Sequence, residues 1–223
     1  GLPLRRSLLD LAAASAESDE EHDNLPAVLV FGGSQGARAL NERMARVPEF
    51  LPPGQRRFKI VHLTGTEEND ALCRAYESAG IPARVLGRDP AIGVWYRKAD
   101  LVVCRAGAAT AAELALFGKP AILVPLPTAA DDHQSANARV LAQQDAALHL
   151  PQKEAAPERL ASLLAEWQRD KTPWNRRAQA IRRFARPDAD AAIAGLAERI
   201  IRGTPIPAEK EAGTVQVTQN ARD

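Results

Sequence analysis

Three clusters of small and polar residues carry the chemistry legible in this sequence. Gly32, Gly33, Ser34, Gln35 and Gly36 follow an apolar run and precede a segment of helical period. Glycines there let a ligand approach the backbone, and the free N–H groups of a helix start favour a phosphate. The spacing is not the GxGxxG of dinucleotide binders, and a P-loop would need a Lys that this run lacks. A tight βα turn accounts for the glycines equally well. The second cluster is Arg105, Ala106, Gly107, Ala108, Ala109 and Thr110, with Glu113 one turn further on. A helix start with Gly and Thr is a second anion site, and a carboxylate such as Glu113 accepts two hydrogen bonds from the vicinal hydroxyls of a ribose. The same T-x-x-E spacing is also that of a capping box, with Thr110 as N-cap. The third cluster is Asp131, Asp132, His133 and Gln134, followed by Asn137. Paired acids beside a His invite a metal, but no second His or Cys lies at i+3 or i+4, and Asp belongs at a helix start for dipole reasons. No metal site is expected. Carboxylates, amides and imidazole suit the hydroxyls of a sugar better.

The elements that must position these clusters follow from apolar period. Apolar, β-rich runs at 27–31, 58–63, 83–86, 100–104, 120–125 and 146–150 read as strands. Helical segments fall at 37–46, 67–79, 92–98, 110–117, 133–143, 157–169, 173–184 and 187–202. Near-continuous apolar strands alternating with helices predict an α/β fold, a Rossmann-like, doubly wound parallel sheet covered on both faces. In such a sheet a ligand sits beyond the carboxyl ends of the strands. The loops at 32–36, 64–66, 87–90, 105–110 and 126–133 therefore share one edge and line one cleft. His62 and His149 lie in strand-like runs and Trp95, Trp167 and Trp174 on helices, where packing is the ordinary role. Ile193, Leu196 and Ile200 form one stripe on the last helix, as ordinary core or as a docking face.

The rest of the chain bounds the reading. Its 223 residues are 45% hydrophobic and 26% charged, and 29 Lys plus Arg against 28 Asp plus Glu give a net charge of +1. That balance, without a Lys/Arg-rich block, predicts no nucleic-acid partner. Cys73 and Cys104 are far apart and read as reduced thiols of a cytosolic protein. No run approaches the roughly 18–20 apolar residues of a membrane span, and the first residues have no signal-peptide pattern. The acidic stretch within 12–24 reads as linker and 203–223 as a disordered tail. The expected organisation is thus an interdomain segment and acidic linker at 1–25, a ligand-binding domain at 26–202 and the tail. The start lacks a Met, as expected of a piece of a longer chain.

Together the blocks Leu29 to Ala37, Val103 to Thr110 and Asp131 to Ala138, in this order and spacing, resemble glycosyltransferase family 28. This is the family of UDP-N-acetylglucosamine transferases of bacterial cell-wall synthesis. The resemblance runs from Gly1 to about Ile201 and implies the C-terminal, donor-binding half of a GT-B pair of Rossmann-like domains. It implies that Arg5 helps hold the UDP phosphates, and that Gly33, Ser34 and Gln35 lie at the diphosphate and sugar. Residues Gly107, Ala108, Ala109 and Thr110 would wrap phosphate and ribose, with Glu113 on the ribose hydroxyls. His133, Gln134 and Asn137 would read N-acetylglucosamine. The uracil would meet backbone groups near Arg88 or Asp89, although Gly87, Arg88, Asp89 and Pro90 depart from the family's apolar-Asp-Asp pattern there. The implied reaction is an inverting, metal-independent transfer to lipid I, giving lipid II, without a cofactor. The base and the acceptor loops would belong to an N-terminal domain, so no catalytic residue is named here. The longer protein would sit peripherally on the cytoplasmic face of the inner membrane, and this half alone would bind donor without transferring it. Two other readings stay open: a stand-alone donor-binding subunit with a separate membrane partner, and an inactive nucleotide-sugar module.

Overall fold

The computed structural model of the chain describes residues 1–14, 25–33, 37–65 and 70–205. Ser34 and Gln35 lie outside the described residues, as do most of the acidic stretch and the tail beyond 205. Strands β1 (Ala27–Phe31), β2 (Lys59–Leu63), β3 (Ala83–Leu86), β4 (Leu101–Cys104), β5 (Ala121–Leu123) and β6 (Leu148–His149) form one sheet in the order β3-β2-β1-β4-β5-β6. Every pairing is parallel. The order reverses between β1 and β4, so the exit loops of those two strands diverge and open a crevice.

Alternation along β1 divides the interior in two. Val28 and Val30 face one core with Leu40, Tyr76, Leu160 and Trp167, while Leu29 and Phe31 face another with Leu8, Tyr96, Leu114 and Ile181. Helices α2 (Arg38–Arg46), α3 (Asp70–Ser78) and α7 (Pro157–Arg169) cover the first face. Helices α1 (Arg6–Ala13), α4 (Ile92–Lys98), α5 (Ala108–Phe117), α6 (His133–Gln143) and α8 (Thr172–Arg182) cover the second. Burial on both faces is why the strands read as continuous apolar runs rather than alternating ones.

Helix α1 lies within the segment expected to join two domains, where the sequence showed no helical period. It is tied down by Leu8, 2% exposed, against α4. The approach is close enough that a Cβ on Gly93 would lie 2.8 Å from Leu8 Cδ2 and from Leu11 Cδ1. Gly93 is thus the residue that lets α1 dock. At the other end of this face α5 stops at Gly118, whose φ of 61° is the left-handed conformation of a helix terminus. The Gly118 N–H bonds Ala115 O and the Lys119 N–H bonds Leu114 O, the two closing bonds of a Schellman motif. Lys119 Nζ then donates to Arg97 O and Ala99 O, fastening the end of α5 to the end of α4. The last helix, α9 (Ala189–Ile201), buries only Ala189. Its stripe of Ile193, Leu196 and Ile200 is 48%, 41% and 61% exposed and belongs to neither core.

Candidate functional site

Two cavities lie at the carboxyl ends of the strands, of about 540 and 490 Å³. They meet at Gly33 and Thr110, which line both. The junction is therefore the amino end of α5. This helix begins at Ala108, with Gly107 as N-cap in extended conformation and no side-chain cap. Its first N–H groups are left for water or a ligand, the arrangement that suits an anion. The capping-box reading of Thr110 and Glu113 is corrected here. Thr110 sits inside the first turn, and the Glu113 carboxylate accepts from the Tyr96 hydroxyl at 3.0 Å instead of reaching back to a helix N–H.

The first cavity has an apolar floor of Phe31, Leu63 and Ile92, and polar groups around its mouth. Of the residues expected from sequence it brings together Arg5, Gly33, Asp89, Ala109, Thr110 and Glu113. Burial raises the Glu113 carboxyl above its ordinary value, and the Tyr96 hydrogen bond and the Arg5 charge pull it part of the way back. Tyr96 is fully buried, stacked on Phe117 at 5.3 Å and edge-on to Phe31 at 5.7 Å. It occupies Glu113 Oε2 and fixes the carboxylate, while Oε1 has no hydrogen bond among the described residues. Burial, and next the Glu113 charge, hold the phenol far above its usual range, so it stays protonated and donates to Glu113. Arg5 is exposed and steadied by a bond to Pro90 O at 3.3 Å.

Asp89 lines this cavity, but both its oxygens are engaged. Oδ1 accepts from the Ala91 N–H and Oδ2 from Trp95 Nε1, each at 2.7 Å. Its carboxylate shapes the 87–90 loop. A charged side chain so engaged is a loop fastener by preference, since each charge-assisted bond is worth about 1.5–3 kcal/mol.

The second cavity is bordered by Gly32, Gly33, Gly107, Arg38, Arg105 and Gln134. Gln134 Oε1 accepts from the Ala106 N–H at 3.3 Å and the Leu126 N–H at 3.1 Å, and Asn137 Nδ2 donates to Ala106 O at 3.0 Å. Both residues latch α6 to the turn before α5. Gln134 still lines the cavity, whereas Asn137 stands behind the turn. His133 opens α6 on the exposed surface and is not among the described residues lining either cavity. Ala108 forms the first residue of α5 between the two.

Arg105 is the residue whose weight the sequence concealed. It is 5% exposed, with Nη1 donating to Val124 O and Pro125 O and Nη2 to Gln152 Oε1. The guanidinium thereby joins the exits of β4 and β5. Burial, and next the charge of Arg43, lower its pKa from the ordinary value. A third cavity, of about 530 Å³, lies at the opposite edge of the sheet beside Pro26, Gln55 and Lys171 and is bordered by none of the exit loops. Among the described residues no group of three or more His, Cys, Asp or Glu is placed to hold a metal ion, and no helix is long and apolar enough to cross a membrane.

Sheet order, crevice and the open amino end of α5 define a nucleotide-binding layer of the Rossmann-like kind. The crystal structure of MurG from Acinetobacter baumannii superposes with a TM-score of 0.71 at 34% identity, over 82% of this chain and 55% of that one. Residues 27–193 match the glycosyltransferase family 28 C-terminal domain, and the chain belongs to that family. Curated relatives carry the name UDP-N-acetylglucosamine–N-acetylmuramyl-(pentapeptide) pyrophosphoryl-undecaprenol N-acetylglucosamine transferase. The one from Janthinobacterium sp. (strain Marseille) is 41% identical over 204 residues, covering 92% of this chain and 56% of its own length. The one from Azoarcus sp. (strain BH72) is 40% identical over 208 residues, covering 91% and 56%. The chain thus spans about half the length of the curated relatives it matches.

Proposed function

We propose that this chain binds UDP-N-acetylglucosamine and is the donor half of a transferase that moves N-acetylglucosamine to lipid I, making lipid II at the cytoplasmic membrane face. The observation that carries the reading is the pair of cavities joined at the uncapped start of α5. The names of the relatives supply the sugar and the acceptor. In this reading the uracil lies against the backbone of the 87–90 loop, over the apolar floor. Glu113 Oε1 accepts from the ribose hydroxyls. The diphosphate rests at the first N–H groups of α5, within reach of Arg5, and the sugar enters the second cavity beside Gln134.

Chemistry then follows from charge. As the acceptor hydroxyl attacks the anomeric carbon, negative charge grows on the departing diphosphate, where the α5 dipole and Arg5 stabilise it. The base that takes the acceptor proton and the loops that hold the acceptor belong to the N-terminal half of the longer protein.

Calorimetric titration with UDP-N-acetylglucosamine, UDP and UDP-glucose tests the proposal. Saturable binding that prefers the N-acetyl sugar over glucose is the expected result. Failure of the folded chain to bind any uridine nucleotide would overturn it.

A further inference from the structure

Behind the first cavity runs a line of buried polar side chains that the donor contacts do not use. His62, on strand β2 between β3 and β1, is fully buried, with Nδ1 3.0 Å from the Tyr76 hydroxyl and Nε2 3.1 Å from Asn41 Oδ1. Asn41 Nδ2 donates to Thr64 O at 3.0 Å. That bond fixes the direction of every other. With the amide nitrogen on Thr64, Asn41 presents its oxygen to His62, so Nε2 carries the ring proton and Nδ1 accepts from Tyr76. Beyond Thr64 the line continues into the cavity wall. Thr64 Oγ1 donates to Leu86 O at 3.2 Å, the Gly65 N–H bonds Gly87 O at 2.6 Å, and Arg88 Nε donates to Gly65 O at 3.3 Å. Gly65, Gly87 and Arg88 line the cavity.

A buried His–Tyr pair is costly unless every donor and acceptor is met, and an apolar pair of similar size would fill the same core. What the polar line adds is a fixed link. It joins α3 and α2, through β2, to the two loops at the nucleoside end of the cavity. We propose that Tyr76, His62 and Asn41 are positioning residues for the nucleotide, setting the height of Thr64 and Gly65 and, through the Gly65 carbonyl, the place of Arg88 at the cavity mouth. The proposal rests on the donor reading above for its ligand, and on the hydrogen-bond line alone for its structural part. The bond to Asn41 needs a proton on Nε2, and burial keeps the ring neutral by lowering the His62 pKa to about 3, which leaves Nδ1 as the acceptor.

The test uses the whole chain and the variants Tyr76→Phe and Asn41→Leu, read by amide hydrogen exchange and by titration with UDP and with inorganic pyrophosphate. Tyr76→Phe removes one hydroxyl from the head of the line and keeps the ring. The expected result is that Gly65 amide protection falls about tenfold more than that of β1 and β4 amides, which lose only the general drop in stability. UDP affinity falls about fivefold, and pyrophosphate, which has no nucleoside, binds as before. Unchanged Gly65 protection in the folded Tyr76→Phe chain overturns the proposal, and so does an equal loss of protection in every strand. That variant decides alone if Asn41→Leu does not fold. A wild-type chain that binds no UDP sinks the donor reading instead, and the exchange result still decides the positioning role.

Discussion

Replacing Glu113 by Gln separates recognition from support at the point where both act on one carboxylate. Tyr96 is fully buried, and among the described residues its hydroxyl donates to Glu113 Oε2 alone. In Glu113→Gln the single amide oxygen must turn toward Tyr96, since a buried hydroxyl left without an acceptor costs about 1–3 kcal/mol. The NH₂ group then faces the cavity where Oε1 stood. A ribose hydroxyl that donated to a charged oxygen loses a bond worth about 1.5–3 kcal/mol and gains at most a neutral one worth about 0.5–1.5 kcal/mol. The net loss of about 1.4 kcal/mol is a tenfold weaker Kd for UDP, with the melting temperature nearly unchanged. Glu113→Ala leaves Tyr96 without its acceptor as well. It should bind UDP about thirtyfold or more weakly, and lower the melting temperature by about 2–4 °C per kcal/mol lost. The assay is calorimetric titration of each variant with UDP and with 2′-deoxy-UDP, beside thermal unfolding. If the carboxylate reads the ribose, the preference for UDP over its deoxy analogue shrinks in both variants. A Glu113→Gln chain that keeps wild-type affinity and the same preference would refute the reasoning and leave Glu113 as no more than the partner of Tyr96.

Acid should destabilise the chain through His62. Its pKa is lowered by burial to about 3 in the fold, against about 6.5 unfolded, so the stabilising neutral form is fully favoured above the unfolded value and lost as pH falls toward the folded one. Between pH 7 and pH 5 this amounts to about 2 kcal/mol. His149, also lowered by burial first, adds in the same direction, and the raised Glu113 carboxyl opposes it. Denaturant unfolding at the two pH values should show the loss, and His62→Gln should flatten it; equal slopes in the two chains would contradict the assignment. Gly118→Ala should lower stability by about 1 kcal/mol or more, because φ is positive there and a Cβ would collide with the Arg182 guanidinium. Chemical denaturation measures this, and a neutral result would mean that α5 ends differently in solution.

Most of the framework was legible in sequence because two-sided burial writes itself as apolar runs. The bounds of β1, β3, α4, α6 and α7 follow the residue pattern. Helix α1 was not legible: it buries only Leu8 and begins after a proline-containing stretch, so its period is faint, and the glycine that receives it lies some eighty residues later. At the site, residue types were legible and atom assignments were not. Glu113, Thr110 and Gly33 stand where a cleft between exit loops puts them. Asp89, Gln134 and Asn137 look equally like ligand contacts in sequence, yet Asp89 is engaged by the Ala91 N–H and the Trp95 indole, and Gln134 and Asn137 by backbone groups of Ala106 and Leu126. Which bond a carboxylate or amide makes depends on partners from other strands. The Tyr96–Glu113 pair and the His62 line were hidden for the same reason, because nothing local in sequence links a tyrosine on one helix to a residue on another element.

The uncapped start of α5 bears on turnover as well as on binding. On the proposed reading, the N–H groups that steady the departing diphosphate meet more negative charge after the bond has broken than before it. The spent nucleotide, anchored at its base end by the first cavity, is then held at least as firmly as the intact donor, while the freed sugar leaves the second cavity with the acceptor. On that same reading, escape of UDP past Arg5 would be the slow exit, with competition by UDP for the site as its kinetic signature.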